Sequence, residues 1–127
     1  MKKKTGFTVI EIIFVTIVTI AAAVLVITQT NSAEATMRDK ERKAAINAMY
    51  FQLINVYYKQ NNYYPENISP ELLTGMDPAL FTDPNGILMG EANSNYTYQA
   101  SDCTESQCQK FKLTATLEKE APYIKGN

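Results

Sequence analysis

Glu11 is the residue whose position in this chain asks for chemistry. It closes the stretch Gly6-Phe7-Thr8-Val9-Ile10-Glu11, and from Ile12 to Ile27 no charge follows, the only polar side chains being Thr16 and Thr19. An apolar segment of about 20 residues is long enough to cross a bilayer as a helix. A carboxylate inside such a helix is costly and marks a functional position by default. Gly6 supplies the other half of the argument. A cut after it would make Phe7 the N-terminus, with a new amine in the apolar zone close to Glu11. Between two helices staggered along a common axis, the amine of one can meet the acid of the next. At an effective dielectric of about 20, two unit charges about 4 Å apart attract by roughly 4 kcal/mol. That attraction would offset burial and fix the register of one subunit on another, with the apolar surface supplying the packing.

The residues before the segment fit this reading. Met1-Lys2-Lys3-Lys4-Thr5 is a short basic leader ending at Gly6. Lysine-rich leader, Gly6 and Phe7-Thr8-Val9-Ile10-Glu11 together resemble the N-terminal signature of type IV pilins and type II secretion pseudopilins. The resemblance covers Lys2 to about Ile27. It implies a prepilin peptidase that cuts after Gly6 and methylates the Phe7 amine. It also implies insertion in the cytoplasmic (inner) membrane as a single-pass precursor. A membrane assembly platform would then build the subunits into an extracellular or periplasmic helical filament, with copies of this chain and other pilins as neighbours. The chain departs from many major pilins in carrying Thr28 where they have a helix-breaking proline.

Two plainer readings compete. A secretory signal has a basic start, an apolar core and a small-x-small cleavage site, and Ala33-Glu34-Ala35 or Ala21-Ala22-Ala23 could serve. Glu11 would interrupt that core near its start. The other is an uncleaved anchor. Flanking charge does not separate them, because Lys2, Lys3 and Lys4 on one side face Arg38, Lys40, Arg42 and Lys43 on the other.

Composition narrows the function classes. The 127 residues carry 12 basic and 13 acidic side chains. Without the leader lysines the balance falls to −4, which is no footprint for nucleic acid. Histidine is absent, removing the commonest general base and metal ligand. No phosphate-binding glycine loop is present. The chain does not read as an enzyme.

The elements that would position Glu11 follow in order. No Pro or Gly occurs from Phe7 to Asn62, so one helix is expected, continuous through the weak formers Thr28-Gln29-Thr30-Asn31-Ser32. It would be roughly 80 Å long at 1.5 Å per residue. Mixed charge at Glu34, Arg38, Asp39, Lys40, Glu41, Arg42 and Lys43 predicts a solvated face. Ile46, Met49, Tyr50, Leu53, Val56 and Tyr57 recur at helical spacing and should cover a sheet. The neighbouring aromatics Tyr50, Phe51, Tyr57 and Tyr58 could alternatively form a ligand site. The helix should stop near Asn61-Asn62-Tyr63-Tyr64-Pro65, at about Asn62, because the residue before a proline resists the helical region.

From Pro65 to Gly90 the sequence predicts an ordered loop with one short helix, Ser69 capping and Pro70 at its first position. Asp77-Pro78 and Asp83-Pro84-Asn85-Gly86 are turn signals. In pseudopilins resembling the major type II secretion subunit this loop can bind calcium. Asp77, Asp83, Asn85 and Glu91 offer oxygen ligands of the right kind, although their spacing matches no known loop motif and turn chemistry alone explains them. Tyr96–Ala100 and Phe111–Leu117 read as strands, with Phe111, Leu113, Ala115 and Leu117 facing the helix. Between them Cys103 and Cys108 are expected to pair as a disulfide in an oxidising, exported domain. Pro122-Tyr123-Ile124 is a candidate last strand.

The expected architecture is α+β and pilin-like. Residues 1–6 form the leader, 7–28 the membrane or filament-core helix, 29–63 an amphipathic half, and 64–127 a globular domain with a small antiparallel sheet. The expected function is a filament subunit. A secretion pseudopilin is the alternative within the family, and a membrane-anchored or secreted ligand-binding domain the alternative outside it.

Overall fold

The computed structural model describes residues 6–127, and the leader residues 1–5 lie outside them. The chain divides into two compact units, one running to Glu34 and the other Ala35–Asn127. Helix α1 spans Val9–Gln52 without a break, so the weak formers at 28–32 are tolerated inside it. A π-helical turn, Leu53–Tyr57, and a last turn, α2 (Tyr58–Asn61), complete the helical segment. Asn62 ends it in the left-handed region at φ 61° with its N–H donated to Tyr58 O, a conformation that Asn tolerates better than most residues.

The sheet has four antiparallel strands: β1 (Tyr64–Pro65), β2 (Tyr96–Thr104), β3 (Gln107–Ala115) and β4 (Tyr123–Gly126). β3 is central. β2 pairs along one side of it, and β1 and β4 share the other. Asn127 fills the gap between β1 and β4: its side-chain carbonyl accepts from Phe111 N at 3.0 Å and its amide donates to Gln109 O at 3.2 Å. Gly126 is required here, since a Cβ would collide with the Phe111 carbonyl.

The fold is therefore α+β, the helical segment of the globular unit packing on a small antiparallel sheet. Alternation along β3 buries Phe111, Leu113 and Ala115. Ile46, Met49 and Leu53 from the helix and Leu73, Phe81 and Leu117 from the loops complete the core. Each large side chain buried there contributes about 1.5–3 kcal/mol.

Four expectations need correction. Val56 is not in the group packed on the core and Ile54 is, because the π-helical turn inserts extra arc and rotates the face. The segment after Ser69 makes one turn, with Leu72 N and Leu73 N donating to Ser69 O, and goes no further. A helical nucleus fixes several dihedrals for one hydrogen bond, and Gly75 follows too soon to repay it. The short helix is instead a 3-10 turn at Pro78–Phe81, capped by Asp77. The strands also run further toward the hairpin tip than their β-formers indicate, and β1 was not anticipated. Finally, the charged run is not all solvated: Asp39 is 2% exposed and Arg42 1%.

Candidate functional site

In the N-terminal unit, every large apolar side chain from Phe7 to Ile27 is exposed, Phe7 to 77%. The helix is long and apolar enough to cross a membrane, an 18-residue stretch of it having mean hydropathy 2.8. Its hydroxyls suit an apolar surround. Thr16, Thr19, Thr28 and Thr30 each donate to a backbone carbonyl one turn back at 2.7–3.1 Å, so none presents an unmet donor. Glu11 differs. Glu11 N reaches Thr8 Oγ1 at 3.4 Å and Thr8 N reaches Glu11 Oε2 at 3.5 Å. This is the reciprocal arrangement of a capping box, at distances where hydrogen bonds are weak. Among the described residues Glu11 makes no ion pair. Gly6 lies just before the helix, exposed and with open space around it.

In the globular unit, Asp39, Arg42 and Asp83 are gathered inside. Arg42 Nη1 donates to Asp39 Oδ1 at 3.0 Å and to Glu118 Oε1 at 2.7 Å, and its Nη2 lies 3.6 Å from Asp83 Oδ2. Arg38 grips Glu118 with two bonds, at 2.8 and 2.7 Å. Asp39 also accepts from the amides of Glu118 and Lys119. Asp83 accepts from Asn85 N, Ile87 N and the Asn95 side-chain amide. Helix, the Asp83 turn and the segment after β3 are thus tied at one point.

The electrostatics follow. Burial pushes the Asp39 carboxyl up, but the Glu118 and Lys119 amides and the Arg42 guanidinium outweigh it and hold the group below its usual range. Asp83 shows the same balance, its burial outweighed by Asn95, Ile87, Asn85 and Arg42. Glu118 is drawn down to about 2 by its bonds to Arg38 and Arg42. Sequence reasoning missed this cluster, though a signal was present. Carrying the buried spacing back from Ile46 by four and then three residues lands on Arg42 and Asp39.

The possible calcium ligands are dispersed among structural tasks. Asp77 caps Ala79 N at 2.9 Å, Asp83 is paired as above, the backbone of Asn85 donates to Asp83, and Glu91 accepts from Leu88 N at 3.2 Å. Among the described residues no three His, Cys, Asp or Glu side chains group to hold a metal. The tyrosines are largely spent on one another: Tyr58 stacks on Tyr64 at 4.7 Å, and Tyr64, Tyr50 and Tyr98 surround Phe111. Cys103 and Cys108 form the disulfide, across from each other at the hairpin tip.

No family model, curated protein or solved structure matches this chain.

Proposed function

We propose that the chain is a structural subunit of a type IV pilus-like filament, inserted in the cytoplasmic membrane, cut after Gly6 by a prepilin peptidase, and assembled through the Phe7 amine, Glu11 and its apolar helix. One observation carries the reading. Glu11 opens a helical surface lined by exposed apolar side chains, and among the described residues its charge has no ion pair. A neighbouring subunit's amine would pair that charge, and its helix would cover the apolar surface. The subunit does no covalent chemistry of its own.

The N-terminal mass of the protein from its native host tests this. Methylated Phe7 is the expected terminus, and Gly6→Ala should block its formation. Glu11→Ala should leave the protein in the membrane with filament yield reduced at least tenfold. A chain starting near Glu34 or Thr36, or filaments of normal yield from Glu11→Ala, would overturn the assignment.

A further inference from the structure

The free edge of the sheet lies on β2, and hydrogen bonds elsewhere fix which of its backbone groups face outward. Thr116 N donates to Asn95 O. On β3, Phe111 N and O and Gln109 O all point to Asn127, away from β2. In an antiparallel ladder, inward and outward groups alternate. Thr97, Gln99 and Ser101 therefore bond to β3, while Tyr96, Tyr98 and Ala100 direct N–H and C=O to the open side. Ser94 Oγ accepts from Tyr96 N at 3.2 Å. The outward groups of Tyr98 and Ala100 have no partner among the described residues. Neither proline nor lysine guards β2, and these are two of the devices that usually blunt an edge.

A cleft of about 430 Å³ adjoins this edge, lined among others by Asn67, Glu91, Asn93, Ser94, Thr97 and Tyr98. It falls within the size range of ligand sites, roughly 300–1,000 Å³. Of the residues lining it, Glu91 is the charged one. Among the described residues Glu91 makes no ion pair, and its carboxylate accepts from Leu88 N at 3.2 Å.

We propose that the β2 edge and this cleft dock an extended basic peptide segment of another protein, added as a strand, with a Lys or Arg side chain reaching Glu91. The donors and acceptors of Tyr98 and Ala100 repeat at the two-residue period of a strand, which a peptide main chain matches and a small polyamine does not. Among the described residues, the basic run 38–43 is helical and Lys125 is held in β4, so neither is a candidate. The site belongs to the globular unit alone and is independent of the filament reading.

The test uses the full chain in nonionic detergent and a fluorescent peptide of about seven residues alternating valine and lysine, followed by anisotropy. Saturable binding is expected. Replacing the lysines by glutamate should weaken it at least tenfold, as should proline at alternate positions with charge unchanged. Glu91→Gln should weaken it about tenfold, the loss of one charge-assisted bond. Ala100→Pro removes an outward N–H without touching the β3 ladder and should weaken binding similarly. If that variant unfolds, the proline peptide and Glu91→Gln decide. No binding at about 1 mM, equal binding of the proline peptide, or indifference to Glu91→Gln would overturn the proposal.

Discussion

Two acids on α1 show how differently the two units treat charge. Asp39 accepts from Arg42 and from two backbone amides, so every strong interaction it makes closes within the chain. Glu11 has a loose contact with Thr8 and, among the described residues, no ion pair. The residue types are nearly the same; the surroundings are opposite. An acid whose demands are met internally is architecture, and removing it should unfold something. An acid on an apolar surface with no strong bond inside the chain holds no part of the fold, and removing it should leave the fold alone.

The sharpest way to break this comparison is Arg42→Met. The substitution keeps an unbranched apolar stem but removes the guanidinium, leaving Asp39 and Asp83 buried without their cation. Breaking a buried pair from one side costs about 3–5 kcal/mol, and a domain of this size shifts by about 4–8 °C per kcal/mol. Thermal unfolding followed by circular dichroism should therefore show Tm lowered by more than about 12 °C. A shift under about 3 °C would mean that the cluster is energetically idle. Glu11→Ala, in the same assay, should not move the melting of the globular unit.

The second test is acid. Asp39, Asp83 and Glu118 all hold their folded values below the unfolded ones. As pH falls, the unfolded state takes up protons first and stability declines. The contribution is complete above the ordinary carboxylate range, near 4.5, and is lost as pH falls toward about 2. Tm should be level from about pH 7 to about pH 5 and then fall. In Arg42→Met the fall should be shallower, because the carboxyls have lost the guanidinium that depresses them. A wild-type Tm that holds to about pH 2.5 would remove the electrostatic account.

What could be read in the sequence divides along the same line. Contacts set by neighbours in the chain were legible: the apolar run, the unbroken helix, the alternation of Phe111, Leu113 and Ala115, and the disulfide five residues apart. Contacts set across the fold were not. Asp39 meets the Glu118 amide 79 residues away, and only the helical spacing carried back from Ile46 separates it from Lys40 and Glu41, which are exposed. β1 is two residues long and exists only because Cys108 and Gln107 are there to pair with it. Glu11 is conspicuous in the sequence because it violates a local pattern, one charge in an apolar run.

The smallest effect concerns the hairpin tip, the part of the globular unit held most locally. Glu105 and Ser106 both sit in the left-handed region, at φ 50° and 66°, a conformation costing roughly 1–2 kcal/mol for such residues. Two-residue hairpin turns of this kind favour Asn-Gly. The Cys103–Cys108 bond clamps the strands on either side, and closing so short a loop contributes about 2 kcal/mol. Glu105→Asn with Ser106→Gly should raise Tm by a few degrees, slightly offset by losing the exposed Ser106–Glu66 bond of 3.0 Å. The same turn placed in Cys103→Ser/Cys108→Ser should recover about half of what the missing disulfide costs. If the turn substitution stabilises nothing in either background, the tip is not strained and the disulfide acts elsewhere than on the turn. If it stabilises only the variant lacking the disulfide, the covalent bond already imposes what Asn-Gly would supply.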